Sequence, residues 1–320
     1  MSEFISFLKE QNKQSTIVVI FCVVLFSGAL TLSAYSAEKV QDIVSKNRIN
    51  NLEDITNLQK NHIHTLLKVR HEQVEILSST HDVLKYKENP QQTQKFLQNI
   101  IHNTKHSQKH QYDFIAGKSK IIDMSIVDST GTFIISTDSD LIDSKLSKQN
   151  TKNIFAYEYV FDGIHKNDHK LHTIFSHKIK NKTKDNEAVI LIRTDASFLD
   201  SIADNIETLG NSGRIYVIDK DYTIINRVKG KDGNTMKAMS ETAKSTQALS
   251  CFARETASTH YTNHHNIKVI GISKYVEDTD WCLVTEIDQA EFDHDTASLK
   301  ATFMPVENNH SPLMGHNTWD

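Results

Sequence analysis

Apolar residues crowd into one stretch of this chain, Thr16 to Tyr35 (TIVVIFCVVLFSGALTLSAY), twenty residues without a charge. Elsewhere they come in short groups separated by polar runs. A bilayer core about 30 Å thick takes roughly twenty apolar residues in a helix, so residues 16–36 are expected to cross a membrane. Lys9 and Lys13 precede the span, and orientation follows Lys and Arg rather than net charge. Glu3 and Glu10 therefore leave residues 1–15 favoured on the cytoplasmic side. A cleaved secretory signal is the competing reading, with Ala34-Tyr35-Ser36 as a weak cleavage site. The apolar core of such signals is usually about 7–15 residues, shorter than this one. In both cases the rest of the chain is exported.

From Glu38 to about Tyr86 there is neither Gly nor Pro, and apolar positions recur at helical spacing. Val40, Ile43, Ile49, Leu52, Ile55 and Leu58 make one stripe, continued by Leu66, Leu67, Val69, Val74, Ile76 and Leu77. The pattern predicts one long amphipathic helix closed near Pro90, with a dimer seam close to the membrane. A second helix is predicted over Gln92 to Ala116. The period then shortens to two. Ile121–Val127 and Thr132–Ser136 flank the turn Asp128-Ser129-Thr130-Gly131 as a hairpin. Ile154–Phe161, Leu171–Ile179 and Ala188–Arg193 follow as strands, and Asp195–Ile206 as a helix. After Gly210-Asn211-Ser212-Gly213 the order repeats. Arg214–Ile218 and Thr223–Asn226 form a hairpin, Asn234–Ala248 a helix, and Ala253–Tyr261, Ile267–Tyr275 and Trp281–Ile287 three closing strands. A last helix runs from Gln289 toward Ala301.

Three stretches carry a resemblance to a known family. Val127-Asp128-Ser129-Thr130-Gly131 with Ile135-Ser136-Thr137 looks like the first hairpin of a membrane-distal module. Leu209-Gly210-Asn211-Ser212-Gly213-Arg214-Ile215-Tyr216-Val217-Ile218-Asp219 looks like the start of a membrane-proximal one. Asp280-Trp281-Cys282-Leu283-Val284-Thr285-Glu286-Ile287-Asp288-Gln289-Ala290-Glu291 looks like its last strand and return helix. In this order they resemble the double Cache sensor domain, an extracytoplasmic PAS-like domain of bacterial chemoreceptors, sensor histidine kinases and cyclic-dinucleotide enzymes. The resemblance implies an α+β fold: an N-terminal transmembrane helix, a long helical stalk, and two PAS-like modules each with a mostly antiparallel five-stranded sheet. The expected division is 1–15 cytoplasmic, 16–36 transmembrane, 37–117 stalk and second helix, 118–208 distal module, 209–288 proximal module, and 289–320 return helix and polar tail.

It also implies a site. In the family a ligand in the distal module changes packing against the long helix, and the pocket uses the later strands of that module. Those positions hold Tyr157, Tyr159, Phe161, Phe175, Ser176, Arg193 and Asp195. Arg193 suits a carboxylate and Asp195 an ammonium group. Equally, Arg193 could serve an inter-strand ion pair, Asp195 a helix cap, and the aromatics the core. Asp195 falls where amino-acid-binding relatives carry an amine-binding Asp. The Arg and Trp-Tyr cluster that completes their motif one strand earlier is absent, so the ligand class stays open between a carboxylate and an amine.

Composition narrows the picture further. A net charge of −4 with 24% charged residues gives no basic footprint for nucleic acid. Three prolines and ten glycines argue against a linker-rich chain. Cys251 and Cys282 are the exported cysteines, and a disulfide and two buried thiols are both compatible with them. The seventeen histidines include three groups, His102/His106/His110, His165/His169/His172 beside Asp168, and His260/His264/His265. Each reads better as a solvated face or loop tip than as a metal site, so no metal or cofactor is expected. No nucleophile elbow, phosphate loop, zinc-protease helix or kinase signature is present, so the chain is expected not to be an enzyme.

The expected function is therefore a membrane-anchored extracytoplasmic small-molecule sensor of a chemotaxis or two-component pathway. It would sit single-pass in a bacterial inner membrane and form a homodimer through the stalk. In the family the return helix normally enters a second span and an output domain. Here Leu299-Lys300-Ala301-Thr302-Phe303-Met304-Pro305 passes into a polar tail, so the module is expected to lack both and to act through a separate transmitter protein. A membrane-anchored interaction or dimerisation protein is the alternative, and a periplasmic metal-binding protein a third reading.

Overall fold

The computed structural model describes residues 2–107, 120–167, 170–179, 188–205, 209–229, 235–255 and 259–303. Parts of several expectations lie outside these residues: the second helix beyond 107, His110, Asp168, His169, and the tail from 304. The chain divides into two compact units, Met1–Asn50 with Ala290–Asp320, and Asn51–Gln289.

Helix α1 covers Ser2–Ser78 and contains the apolar span. Phe21, Val23, Phe26, Leu30 and Leu32 are exposed around its circumference, the pattern of a helix that meets lipid on every side. By length and composition this segment is able to cross a membrane. Two of its hydroxyls are satisfied within the helix: Ser27 Oγ donates to Val24 O at 3.0 Å and Thr31 Oγ1 to Gly28 O at 2.9 Å.

Beyond Asn51 the buried face of α1 is Leu52, Thr56, Gln59, Ile63, Leu66, Leu67, Arg70, Val74 and Ser78. This corrects the predicted stripe, because Leu58 and Ile76 are exposed and polar residues take inward positions. The helix also ends before Tyr86. Ser78, Ser79 and Thr80 each turn a hydroxyl back onto a carbonyl three residues earlier, offering the backbone an alternative to another turn. A short α2 (His81–Leu84) follows, and Pro90 opens α3 (Pro90–Ser107) at the position where its missing N–H costs nothing.

The first sheet contains β1 (Ile121–Asp128), β2 (Phe133–Ser136), β3 (Tyr159–Asn167), β4 (Lys170–Lys178) and β5 (Ala188–Asp195), in the order β2-β1-β5-β4-β3, antiparallel throughout. The β1–β2 turn is held by Asp128 Oδ1, which accepts from Thr130 N and Thr132 N at 2.9 Å each. Gly131 takes φ +85°, and a Cβ there would meet Thr151 Oγ1 at 2.3 Å. Between β2 and β3 lies α4 (Lys148–Ala156), capped by Ser147 Oγ, which accepts from Asn150 N at 3.1 Å. Ile154 to Ala156 therefore belong to a helix and not to the predicted strand, which starts only at Tyr159. After β5, Ser197–Asn205 is 3-10 rather than α-helical, with Phe198, Leu199 and Ile202 buried.

The second sheet contains β6 (Arg214–Asp219), β9 (His260–Thr262), β10 (Lys268–Val276) and β11 (Trp281–Asp288), ordered β6-β11-β10-β9. A small ladder, β7 (Val228–Lys229) with β8 (Thr235–Met236), stands beside it. It has four strands, not five, among the described residues. Thr223 and Ile224 make isolated bridges rather than a strand. The Asp128 turn recurs here, with Asp219 Oδ1 accepting from Asp221 N at 3.0 Å and Thr223 N at 2.8 Å. The predicted helix over Asn234–Ala248 is displaced to α5 (Thr246–Ala253), which starts where Ser245 Oγ accepts from Ala248 N. Cys251 of α5 is joined to Cys282 of β11 by a disulfide with a Cα–Cα distance of 6.3 Å, resolving the two readings of that pair. Tyr216, Ile218, Ile224, Val228, Ala243, Ala248 and Val284 pack around it.

Helix α6 (Gln289–Phe303) continues from β11. Within its unit it is pinned to α1 by Arg48, which donates Nη2 to Asp295 Oδ2 at 2.7 Å and lies over the Phe292 ring at 5.2 Å. The same hydrogen bond holds the Asp295 carboxyl below its ordinary pKa.

Candidate functional site

The pleat of the first sheet sorts the residues singled out from the sequence onto two faces. Strand register pairs Asp123 with Arg193, Arg193 with Ile174, and Ser125 with Leu191 and Ser136, so these positions share one side. Ser176, opposite Leu191, lies on it too, as does His172 opposite Asp195. Val127, Val189, Leu191, Phe133 and Ile154 make an apolar cluster on this side, so α4 covers it. Tyr159, Phe161 and Phe175 point the other way. Tyr159 stacks on His71 of α1 with centroids 3.6 Å apart, and Phe161 tilts against Phe175 at 5.1 Å.

On the α4 side the buried surface is unusually polar. Asp123, Ser125, Ser136 and Ser176 are all almost fully buried. Arg193 Nε donates to Asp123 Oδ2 at 2.5 Å, and its Nη2 lies 3.7 Å from Asp138 Oδ2. Burial pushes the Asp123 carboxyl up in pKa, and the Arg193 guanidinium opposes that shift. Ser125 Oγ and Ser136 Oγ share a hydrogen bond of 2.9 Å. Ser176 Oγ is buried without a hydrogen-bond partner among the described residues. A hydroxyl in that position loses about 1–3 kcal/mol unless something reaches it.

At the open end of the same strands His172 stacks with His165 at 5.6 Å. Burial lowers the His172 pKa to about 4, helped by the charges of Arg193 and His165. Asp162, with Oδ2 3.2 Å from His165 Nε2, raises the other imidazole. The two imidazoles are thus pushed in opposite directions. Asp195 closes the arrangement. Its Oδ1 accepts from Lys120 N at 3.1 Å and Ser197 Oγ at 2.7 Å, tying the start of β1 to the 3-10 turn. Its charge is also felt by Arg70 on the buried face of α1, offsetting part of the desolvation that lowers that guanidinium's pKa. Asp123, Asp138, Asp162 and Asp195 thus bring four carboxyl groups to this face beside Arg193.

The α1 side holds a cleft of about 810 Å³, lined by His64, Leu67, Lys68 and His71 of α1, by Tyr157, Tyr159, Val160 and Phe161, and by Glu277 and Asp278. Tyr157 is exposed at its mouth. Phe161 meets Trp281 of β11 edge-on at 5.1 Å, and Lys60 Nζ bonds Glu277 Oε1 at 2.7 Å. This cleft is where both sheets and the stalk helix meet. The sequence predicts one pocket from Tyr157, Tyr159, Phe161, Phe175, Ser176, Arg193 and Asp195, whereas the structure divides them: Ser176, Arg193 and Asp195 lie on the α4 side, and Tyr159, Phe161 and Phe175 on the other, with Tyr157 at the mouth of the cleft. Asp123 and Asp138 are not among the expected pocket residues, although Asp123 is a charged residue inside an apolar strand and Asp138 lies just past β2; His172, expected only in a polar histidine group, stands in β4.

Comparison with known proteins bears on this arrangement. A family model described as Cache domain matches residues 31–294. No curated protein matches the chain. Among solved structures, the ligand-binding domain of the Campylobacter jejuni chemoreceptor Tlp3, in complex with 4-methylisoleucine, has a TM-score of 0.57 at 9% identity, covering 78% of this chain and 94% of that one. The sensor domain of the V. cholerae histidine kinase DctB gives 0.53 at 9% identity, covering 76% and 98%. The ligand-binding domain of the Pseudomonas aeruginosa amino acid chemoreceptor PctB, in complex with L-Gln, gives 0.51 at 14% identity, covering 80% and 99%. At these identities the likeness is one of fold.

Proposed function

The chain belongs to the Cache domain family, and from that premise we propose that it is an extracytoplasmic small-molecule sensor whose ligand carries an ammonium group, an amine or an amino acid. The observation that carries the ligand class is the convergence of the Asp123, Asp138 and Asp195 carboxyl groups on the α4 side of the distal sheet. The buried Ser176 hydroxyl adds a hydrogen-bonding group with no protein partner there. Arg193 retains donors for a carboxylate should the ligand be zwitterionic.

Residues 16–36 anchor the chain in a single pass, with the domain outside the cytoplasm, and it acts by binding rather than catalysis. Signal leaves through α1: an ammonium group at Asp195 changes the field on Arg70, and movement of β3 is felt by His71 through Tyr159. Exposed Leu58 and Ile76, about five turns apart on α1, supply a seam for a homodimer. Thermal unfolding of the full chain in detergent, screened against amines, amino acids and simple carboxylates, tests the reading. Saturable stabilisation by ammonium compounds, lost in Asp195→Asn, is expected. Stabilisation by carboxylates alone, or none from any class, overturns it.

A further inference from the structure

The second sheet carries a cluster that sensing by the distal module does not use. His264 and His265 occupy the tip between β9 and β10, and Glu241 lies in the segment between β8 and α5. The three side chains offer ligating atoms all within 4.8 Å of one another. His265 Nε2 is 3.4 Å from Glu241 Oε2, and His264 Nε2 is 3.7 Å from the same oxygen. The His264 and His265 rings are 4.1 Å apart.

Three features distinguish this from a polar loop tip. First, the His264 side chain is only 8% exposed, and both its ring nitrogens are buried without a hydrogen-bond partner among the described residues. An imidazole buried edge-on against Tyr216, at 5.8 Å, with neither nitrogen bonded, is costly by about 1–3 kcal/mol per lost bond unless a further ligand takes a lone pair. Second, the spacings suit a metal. Ligands held about 2.0–2.2 Å from a tetrahedral ion stand roughly 3.4 Å from one another, close to both measured distances from Glu241. Third, the donors are pre-positioned. Asn263 Oδ1 accepts from His265 N and Ile267 N at 3.0 and 3.1 Å, and the Glu241 carbonyl accepts from Ile224 N at 3.0 Å.

We propose that Glu241, His264 and His265 form a binding site for a divalent transition-metal ion, zinc first among them, with a fourth position left to solvent or a ligand. Two imidazoles and one carboxylate are a donor set that such ions favour and that magnesium or calcium does not. Bound metal cross-links the β9–β10 turn to the segment before α5 and gives the proximal module an input of its own, separate from the distal face.

Calorimetric titration of the untagged, metal-stripped full chain in detergent with Zn²⁺ tests this, with Co²⁺ absorption reporting geometry. One equivalent of Zn²⁺ per chain is expected, with tetrahedral Co²⁺ bands and no response to Mg²⁺. Affinity should fall at least tenfold in Glu241→Gln, in His265→Ala and in His264→Ala. The first two side chains are about two-fifths exposed, so their replacement leaves the core intact. His102→Ala, on an exposed side chain of α3, should bind as the unaltered chain does. Absence of stoichiometric Zn²⁺ binding, or affinity unchanged in Glu241→Gln and His265→Ala because other histidines hold the ion, overturns the proposal.

Discussion

Replacing Glu286 gives the sharpest test of how the proximal module is held together. Its side chain is fully buried in β11, and four donors converge on it. Oε1 accepts from Arg214 Nη1 at 3.0 Å and Asn263 Nδ2 at 2.7 Å, while Oε2 accepts from Tyr216 OH at 2.9 Å and Tyr261 OH at 2.7 Å. Arg214 has a second partner, Asp288 Oδ1 at 2.6 Å, so its charge is not orphaned when Glu286 is removed. Glu286→Ala still strands two phenols and an amide in the core and halves the compensation of a buried guanidinium. Breaking a buried pair in this way costs about 3–5 kcal/mol. Glu286→Gln is a milder change. Its carbonyl can serve Arg214 and Asn263, which only donate, while its NH2 faces two hydroxyls that can rotate to accept. That variant should lose about 1–2 kcal/mol, the difference between charge-assisted and neutral hydrogen bonds. Denaturant unfolding followed by the fluorescence of Trp281, at the start of β11, measures both. A second readout is tyrosine titration, because burial and then Glu286 raise the Tyr216 phenol well above its ordinary pKa. In Glu286→Ala that phenol should ionise at lower pH than in the unaltered chain. A loss below about 1 kcal/mol in Glu286→Ala, or equal losses in Ala and Gln, would refute the account of Glu286 as the organising acceptor.

Reducing the Cys251–Cys282 bridge reopens a loop with a sequence separation of 31, which on loop entropy removes roughly 3.5 kcal/mol; unfolding with and without reductant should show it, and Cys251→Ser should be insensitive to reductant. Arg193→Ala should cost about 3–5 kcal/mol by leaving Asp123 buried and unpaired, and Asp123→Asn in the same chain should recover part of it in a double-mutant cycle. His172, lowered from 6.5 to about 4 by burial, takes up a proton in the unfolded chain before it does in the folded one. Stability should therefore be complete above pH 6.5 and be lost as pH falls toward 4, and denaturation midpoints of His172→Gln should be flatter across that window. Gly131→Ala should destabilise the distal hairpin by about 1–3 kcal/mol in thermal unfolding, since φ is positive and the new Cβ meets Thr151.

Periodicity made much of this fold legible. The Asp128 turn and strands β4, β5, β10 and β11 fall within two residues of where alternation places them. It failed where local capping and burial disagree with pattern. Ile154 and Phe155 followed by Tyr157 and Tyr159 mimic an alternating strand, yet Ser147 caps a helix through Ala156. In the proximal module the helical run from Asn234 has no cap until Ser245, which is where α5 starts. On α1, Thr56, Gln59 and Arg70 are inward and Leu58 and Ile76 outward, so hydrophobicity alone misassigns the buried face. The site was half visible. Arg193, Asp195 and Ser176 sit on alternate positions of their strands, and the same rule of two puts Phe175 behind them. The partners Asp123 and Asp138 come from distant sequence, and only strand register brings them in. Glu241 likewise comes from a different segment than His264, so counting histidines could not find that group.

In each sheet the strand that comes last in the chain lies inside it: β5 between β1 and β4, and β11 between β6 and β10. A chain that emerges from its N-terminus therefore delivers β1 and β4, and later β6 and β10, before the strand that joins them. Until β5 and then β11 emerge, those edges stand unpaired and open to wrong partners. Neither sheet can close until its last strand is present, and the closing contacts span long sequence separations, which slows folding. Folding is thus most exposed to aggregation in the interval before Trp281–Asp288 is available to pair.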